Sequence, residues 1–242
     1  KNYLLLTKPS IMLLVVFTGA ASIIMEGSFL TSPLKFALVL FALFLTGGAA
    51  NAYNQYFERD IDALMSRTRT KRPLPSGRIT ASNALIFSTV LAILGLAVFA
   101  LVFNWIATFL ALGTILFYSL FYTLWLKPNT PQNIVIGGAA GVMGPIIAWA
   151  AVTKTVSVTA MILFLIIFFW TPPHFWSLAL FYKDDYQQAK LPMLPVVRGD
   201  KETRKQILIY SYLLVLTSFS LFFFGASWIY LITSIILGIQ FI

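Results

Sequence analysis

Long stretches without a single charged residue decide what this chain can fold into. Pro9 to Met25, Phe36 to Phe57, Ile79 to Leu126, Pro128 to Thr153, Thr155 to Tyr182 and Gln206 to Ile242 contain no Asp, Glu, Lys or Arg. A helix rises about 1.5 Å per residue and a bilayer's hydrocarbon core is about 30 Å thick, so about 20 such residues make one crossing. The runs 79–126 and 206–242 exceed one crossing and must turn back, the first near Asn104 and the second at Gly225-Ala226-Ser227. The expected fold is therefore all-α: a polytopic membrane protein with eight visible transmembrane helices, centred near residues 17, 46, 93, 116, 142, 168, 215 and 234.

Composition excludes most other classes. Of 242 residues, 59% are hydrophobic and 10% charged, against roughly a quarter charged in ordinary soluble domains. With no cysteine, disulfides, thiolate metal sites, iron–sulfur clusters and a cysteine nucleophile are all excluded. The chain starts at Lys1 without a methionine and stops at Ile242 inside an apolar run. It reads as one transmembrane domain, residues 1–242, trimmed at both ends.

The net charge of +9 is distributed as a membrane topology and not as a nucleic-acid surface. Assigning the amino terminus and every second loop to one side places 15 of the 17 Lys and Arg there, leaving Lys35 and Lys154 on the other. The positive-inside rule turns the basic side to the cytoplasm of a bacterial plasma membrane, or to the matrix of a mitochondrial inner membrane. Two loops on that side, 58–78 and 183–205, hold 12 of the 17 basic and 7 of the 8 acidic residues. Each begins with carboxylates at a helix end and runs on to a Leu-Pro step, then Gly and Arg. The pattern predicts two related four-helix halves whose charged loops converge over a central cavity, since sites in repeated membrane folds lie at the repeat interface.

In the first loop Asn54, Glu58 and Asp62 are spaced i, i+4, i+8, so one helix face carries three oxygen donors. Mg²⁺ prefers oxygen and is usually held by one or two carboxylates together with substrate phosphates. The alternative is a set of interfacial acids paired with Arg59 and Arg67. Between Arg67 and Arg78 five cations follow, Lys71 and Arg72 among them, in a segment stiffened by Pro73 and Pro75 and closed by Gly77. Cations beside a metal-binding face suit a diphosphate; a basic loop with no ligand is a topogenic anchor or a patch for anionic lipid.

These residues resemble a known family. Asn54-x-x-x-Glu58-x-x-x-Asp62, Arg67-Thr and Arg72-Pro-Leu-Pro-Ser-Gly77 are similar to the signature of the intramembrane aromatic prenyltransferases, the UbiA superfamily. Trp170-Thr-Pro-Pro-His174-Phe-Trp176, Lys183-Asp-Asp185-Tyr, Pro192-Met-Leu-Pro-Val-Val197, Thr130-Pro-Gln-Asn133 and Ile136-Gly-Gly-Ala-Ala-Gly141 resemble its haem-farnesylating branch. The resemblance covers nearly the whole chain. It implies nine spans in the full-length protein and two acidic motifs binding Mg²⁺ and farnesyl diphosphate. It further implies transfer of farnesyl to a vinyl carbon of haem B, with haem A synthase or a terminal oxidase assembly as partners beside membrane lipid. The alternatives are a prenyltransferase for a quinone precursor and an ion-coupled transporter. Three departures from the broader pattern stand out: Gln55 where many relatives carry a second acid, Glu58 where they carry Asp, and Tyr182 where the second motif begins with Asp.

On this reading Asn54, Glu58, Asp62, Asp184 and Asp185 hold the metal, and Arg67, Lys71, Arg72 and Lys183 take the remaining phosphate charge. Lys127 either reaches the diphosphate or anchors its helix, and Asn133 faces either the bundle or the pocket. His174, the single histidine, either packs with a hydrogen bond or serves the reaction, by contacting the haem, holding a propionate or moving a proton during hydration. Pro145 and the pair Pro172-Pro173 are expected to break or kink their helices where a pocket is lined.

Overall fold

The protein is described by a computed structural model covering residues 1–242, helical along its length and without strands. Seven helices are long and apolar enough to cross a membrane: α1 Pro9–Glu26, α2 Pro33–Phe57, α3 Ala81–Phe103, α4 Trp105–Asn129, α5 Asn133–Thr153, α6 Val158–Phe181 and α7 Gly199–Phe224. An eighth, α8 Trp228–Phe241, is apolar but only 14 residues long, about 21 Å at 1.5 Å per residue. All eight expected segments are present, and the last is shorter than a full crossing. Large side chains such as Leu13, Phe17, Leu101, Phe109 and Ile229 point outward, as a lipid solvent permits.

Both expected reversals occur. Asn104 breaks the 79–126 run in an extended conformation; its Oδ1 accepts from Ala107 N at 3.0 Å, while its Nδ2 donates to the carbonyls of Ala150 and Ala151 at 2.9 and 3.1 Å. One amide thus caps α4 and ties the turn to the end of α5. Gly225 turns α7 into α8 at φ +99°, a left-handed backbone that any side chain would strain.

The prolines behave differently from one another. α5 is interrupted after Gly141 and restarts at Gly144-Pro145, where the first helical turn has no use for the missing N–H. Ser22 Oγ of α1 donates to the Pro145 carbonyl at 2.7 Å. Of the break or kink expected at Pro172-Pro173, the break is corrected: α6 runs continuously from Val158 to Phe181 through both. Thr171 Oγ1 donates to Ile167 O at 2.8 Å and Ser177 Oγ to Pro173 O at 2.7 Å, so hydroxyls bond carbonyls on either side of the lost donors, as membrane helices with proline allow.

α5 and α2 are the most enclosed spans. α2 packs on α1, α3 and α4, the second half of α5 on α1, and α6 on α7. Toward the sparsely charged end, Ile23, Val39, Leu43, Phe99, Ala107 and Ile147 form one apolar core. At the other end Met65 of the first charged loop shares a core with Tyr186, Leu191, Met193 and Leu194 of the second and Trp176 of α6. The two charged loops meet, as their repeat predicts.

Candidate active site

α2 ends at Phe57, and a short helix Arg59–Leu64 follows directly. Because Asp62 N still donates to Glu58 O at 2.8 Å, the i, i+4 spacing survives the junction and both carboxylates project together. Both are 2% exposed, as is Asn54. Arg72 Nη1 donates to Glu58 Oε2 at 3.3 Å and to Asp62 Oδ2, and Lys127 Nζ donates to Glu58 Oε1. Two buried acids are thus bridged by one guanidinium and capped by an ammonium from α4, whose place in the chain is 69 residues away. Burial alone would raise the Glu58 carboxyl, but Lys127, Arg72 and Lys8 outweigh it and hold it down at about 2. Glu58 is therefore ionised throughout the physiological range.

Lys8 was not foreseen. It sits at the start of α1 with φ +52°, a conformation costing a non-glycine residue on the order of 1 kcal/mol. Its Nζ donates to Asn54 Oδ1 at 2.8 Å and lies 5.9 Å over the Tyr118 ring; Asn54 Nδ2 donates to Thr123 Oγ1 at 3.0 Å. Burial, then the cations Arg72 and Lys127, lower the Lys8 ammonium to about 7. Gln55 explains how Lys8 is delivered: its Nε2 donates to the carbonyls of Leu5 and Leu6, both at 3.0 Å. The amide that replaces an acid at this position faces away from the carboxylates and pins the amino-terminal helix instead. A lysine before a proline carries no sequence signal for a site, so only the packing shows it.

Beneath this cluster a cavity of about 390 Å³ opens between α1, α2, α4, α5 and α6, lined mainly by apolar residues together with Thr46, Asn51, Arg67, Tyr118, Tyr122 and His174. Residues 117–126 of α4 form a π-helical stretch, a winding that recurs at functional sites. It stacks Tyr118 and Tyr122 with centroids 5.2 Å apart. Gly137 of α5 supplies the space for the Tyr122 ring, which a Cβ there would overlap. Arg67 reaches the cavity wall with its guanidinium 5.5 Å over Tyr182; its Nε is buried without a partner, and it pairs with no acid.

The second loop is built differently. Asp185 accepts from Ser66 Oγ at 2.8 Å on both oxygens and from Arg67 N at 3.3 Å, so it orients the start of the basic segment. Asp184 is exposed, and Lys183 Nζ donates to Asp200 Oδ1 at 2.7 Å. Of the five expected metal ligands, only Asn54, Glu58 and Asp62 lie in one place, and no three acidic or imidazole side chains cluster closely enough to share an ion.

The profile of the UbiA prenyltransferase family matches residues 14–242. The chain belongs to the UbiA prenyltransferase family. The Protoheme IX farnesyltransferase of Bartonella bacilliformis is 46% identical over 242 residues, covering all of this chain and 77% of that protein. The enzyme of the same name from Rickettsia bellii is 48% identical over 243 residues, with 100% and 80% covered. Among solved structures, a UbiA homologue from Archaeoglobus fulgidus bound to DMAPP and Mg²⁺ superposes with a TM-score of 0.78 at 18% identity, over 100% of this chain and 84% of that one. A structure of digeranylgeranylglyceryl phosphate synthase matches with a TM-score of 0.79 at 25% identity, over 100% and 84%.

The remaining residues of this prenyltransferase fall around the cluster. Lys71 is exposed on the first loop and makes no ion pair, and its carbonyl accepts from Arg78 Nη2 at 2.7 Å. Asn133 faces the bundle: it is fully buried, its Nδ2 donates to Thr130 O at 2.6 Å, and its Oδ1 has no partner. Lys127 is an ion-pair partner of Glu58 and not merely an anchor. His174 stacks on Trp170 at the cavity wall, with centroids 4.5 Å apart and the rings 13° from parallel.

Proposed function

We propose that this prenyltransferase transfers a farnesyl group from farnesyl diphosphate to a vinyl group of haem B, with water completing the hydroxyethylfarnesyl side chain and diphosphate released. The observation that carries the proposal is the buried set of Glu58, Asp62, Arg72, Lys127 and Lys8 beside a largely apolar cavity, the two joined through Tyr118, which lines the cavity and lies under the Lys8 ammonium. Charge for a diphosphate thus adjoins space for an isoprenoid. The relatives that share nearly half of the residues over the full chain carry the name of this reaction, which favours haem over a quinone precursor as acceptor.

The donor set suits Mg²⁺: two carboxylates and an amide oxygen on one face, too few to enclose an ion and enough to hold one that also binds phosphate. Asn54, Glu58 and Asp62 would hold it, while Asp185, bonded to Ser66 Oγ and Arg67 N, orients the facing basic segment. Bound there, the ion supplies charge that makes diphosphate a better leaving group. Asp184, which is exposed, and Lys183, which pairs with Asp200, are given no contact with the diphosphate.

Arg67, which has no acidic partner, takes phosphate oxygens, and Arg72 and Lys127 share their donors between the carboxylates and the diphosphate. As the C1–O bond breaks, its electron pair leaves with diphosphate and the allylic carbon becomes cationic. The faces of Tyr118 and Tyr122 stabilise that cation. The haem vinyl π pair then forms the new C–C bond, leaving a cation beside the porphyrin that water captures with loss of a proton. No side-chain nucleophile is needed. The apolar wall contributes by excluding water until the bond has formed. The distribution of Lys and Arg turns the charged loops to the cytoplasm or matrix.

Product analysis tests the reading. Membranes holding the protein, incubated with haem B, farnesyl diphosphate and Mg²⁺, are expected to yield farnesylhydroxyethyl haem by chromatography and mass spectrometry. Omission of Mg²⁺ abolishes it. Farnesylation of an added quinone precursor with haem untouched would overturn the choice of acceptor.

A further inference from the structure

We propose that His174 is the axial ligand to the iron of the haem acceptor, an inference that rests on the proposed haem-farnesylating function. His174 lies seven residues before the end of α6 at Phe181, inside the membrane span, where an ionisable side chain marks function by default. It lines the main cavity and also a shallower outer groove formed with Pro173, Ser177 and Ser211. Its ring contacts are aromatic, stacked on Trp170 and edge-on to Phe175 at 5.4 Å. Neither imidazole nitrogen bonds to a protein group, while the hydroxyls of Thr171 and Ser177 beside it are used by backbone carbonyls.

His174 is itself exposed, and the cavity and the groove both reach it, so an incoming group can approach nitrogens that no protein group occupies. Stacking occupies a face of the ring, whereas the nitrogen lone pair lies in the ring plane. Trp170 therefore fixes the orientation of the imidazole and leaves its donor direction free. The chain has no cysteine and no second histidine, so His174 is the one imidazole or thiolate donor it can offer haem iron, beside the thioether of Met143 and the phenols of Tyr118 and Tyr122 on the same cavity wall. A propionate is better matched to a cation at the charged end than to this imidazole. In the ligation step the nitrogen lone pair fills an axial position; no substrate bond breaks and no electron is transferred. The porphyrin is thereby set perpendicular to the Fe–N bond, with a vinyl edge held toward the isoprenoid.

The full chain, purified in detergent and titrated with ferric haem B, tests this by absorption and electron paramagnetic resonance spectroscopy. The expected result is a nitrogen-ligated haem in the unsubstituted protein. In His174→Ala the Soret band shifts, haem affinity falls by about tenfold or more, and added imidazole restores the band. Farnesyl diphosphate binding is retained in that variant. His174→Met, which keeps a side chain of similar length, gives a thioether-ligated spectrum. Met143→Leu, which removes another donor from the cavity wall, leaves the spectrum unchanged. Identical spectra for the unsubstituted protein, His174→Ala and His174→Met overturn the ligation and leave the acceptor reading intact. Absence of any haem binding by the unsubstituted protein overturns both.

Discussion

After α2, Glu58 and Asp62 are withdrawn to 2% exposure and bridged by Arg72, with Lys127 and Lys8 arriving from two other helices. After α6, Asp184 is exposed, Lys183 pairs with Asp200 of its own loop, and Asp185 bonds only Ser66 and Arg67 N of the first loop. The two loops carry similar residues in a similar order, yet one holds buried charge and the other supports it. Coulomb energies are several-fold larger where water is excluded, so the charges of the first loop act strongly on one another, as the proposed diphosphate site requires. The second sits near the exposed limit, where a pair is worth about 0 to 1 kcal/mol.

The largest effect expected from this contrast is at Asp62. Asp62→Asn should lower haem farnesylation by roughly 10³-fold, the range for losing one preorganised charged contact in a dry site, with protein levels in membranes unchanged. Near-normal product formation at saturating Mg²⁺ would remove the first loop from the metal site. Arg72→Ala comes next. It leaves two buried carboxylates without their shared donor, so stability should fall by about 3 kcal/mol, read as a lower midpoint of thermal unfolding in detergent. Its kcat/KM for farnesyl diphosphate should fall by roughly 10²-fold. An unchanged midpoint would mean that the bridge contributes nothing to the fold.

Asp185→Asn should cost about tenfold in kcat/KM, equivalent to one weakened charge-assisted hydrogen bond to the Ser66–Arg67 turn. A loss as deep as that of Asp62→Asn would make the two loops equal partners. Lys8 gives a pH test. Its folded value of about 7 lies below the ordinary lysine value of about 10.4, so between these the unfolded chain binds more protons and stability rises with pH. The thermal midpoint should therefore climb from pH 7 toward pH 10, and Lys8→Met should flatten the climb. Equal slopes for the two proteins would show that Lys8 is not the titrating group. The smallest effect belongs to Lys183→Ala, expected within about threefold of unsubstituted activity, as for an exposed pair; a loss of a hundredfold would bring the second loop into contact with substrate.

Much of the site was legible along the chain because a helix repeats on a fixed period. Asn54, Glu58 and Asp62 share a face at any i+4 spacing, and the structure keeps that face across the junction at Glu58. Arg72, only 14 residues from Glu58, could be read as its neighbour. Lys8 and Tyr118 could not, since each is brought in by helix packing. Gln55 could not be understood from its place in the motif either, because its hydrogen bonds go to Leu5 and Leu6.

The charge-free runs by themselves determined an all-helical membrane protein, because the bilayer sets how many apolar residues one crossing needs and leaves backbone polar groups no partner outside a helix. They also determined where the chain turns, at Asn104 and Gly225, and that its charges collect at one end. Only the tertiary structure decided which charges are buried and which partner each one has. Those outcomes depend on how α1, α2 and α4 approach one another. Helices remote in sequence and joined by packing place Lys8 and Lys127 against Asn54 and Glu58, and side-chain geometry at such a crossing has no period that a sequence can display.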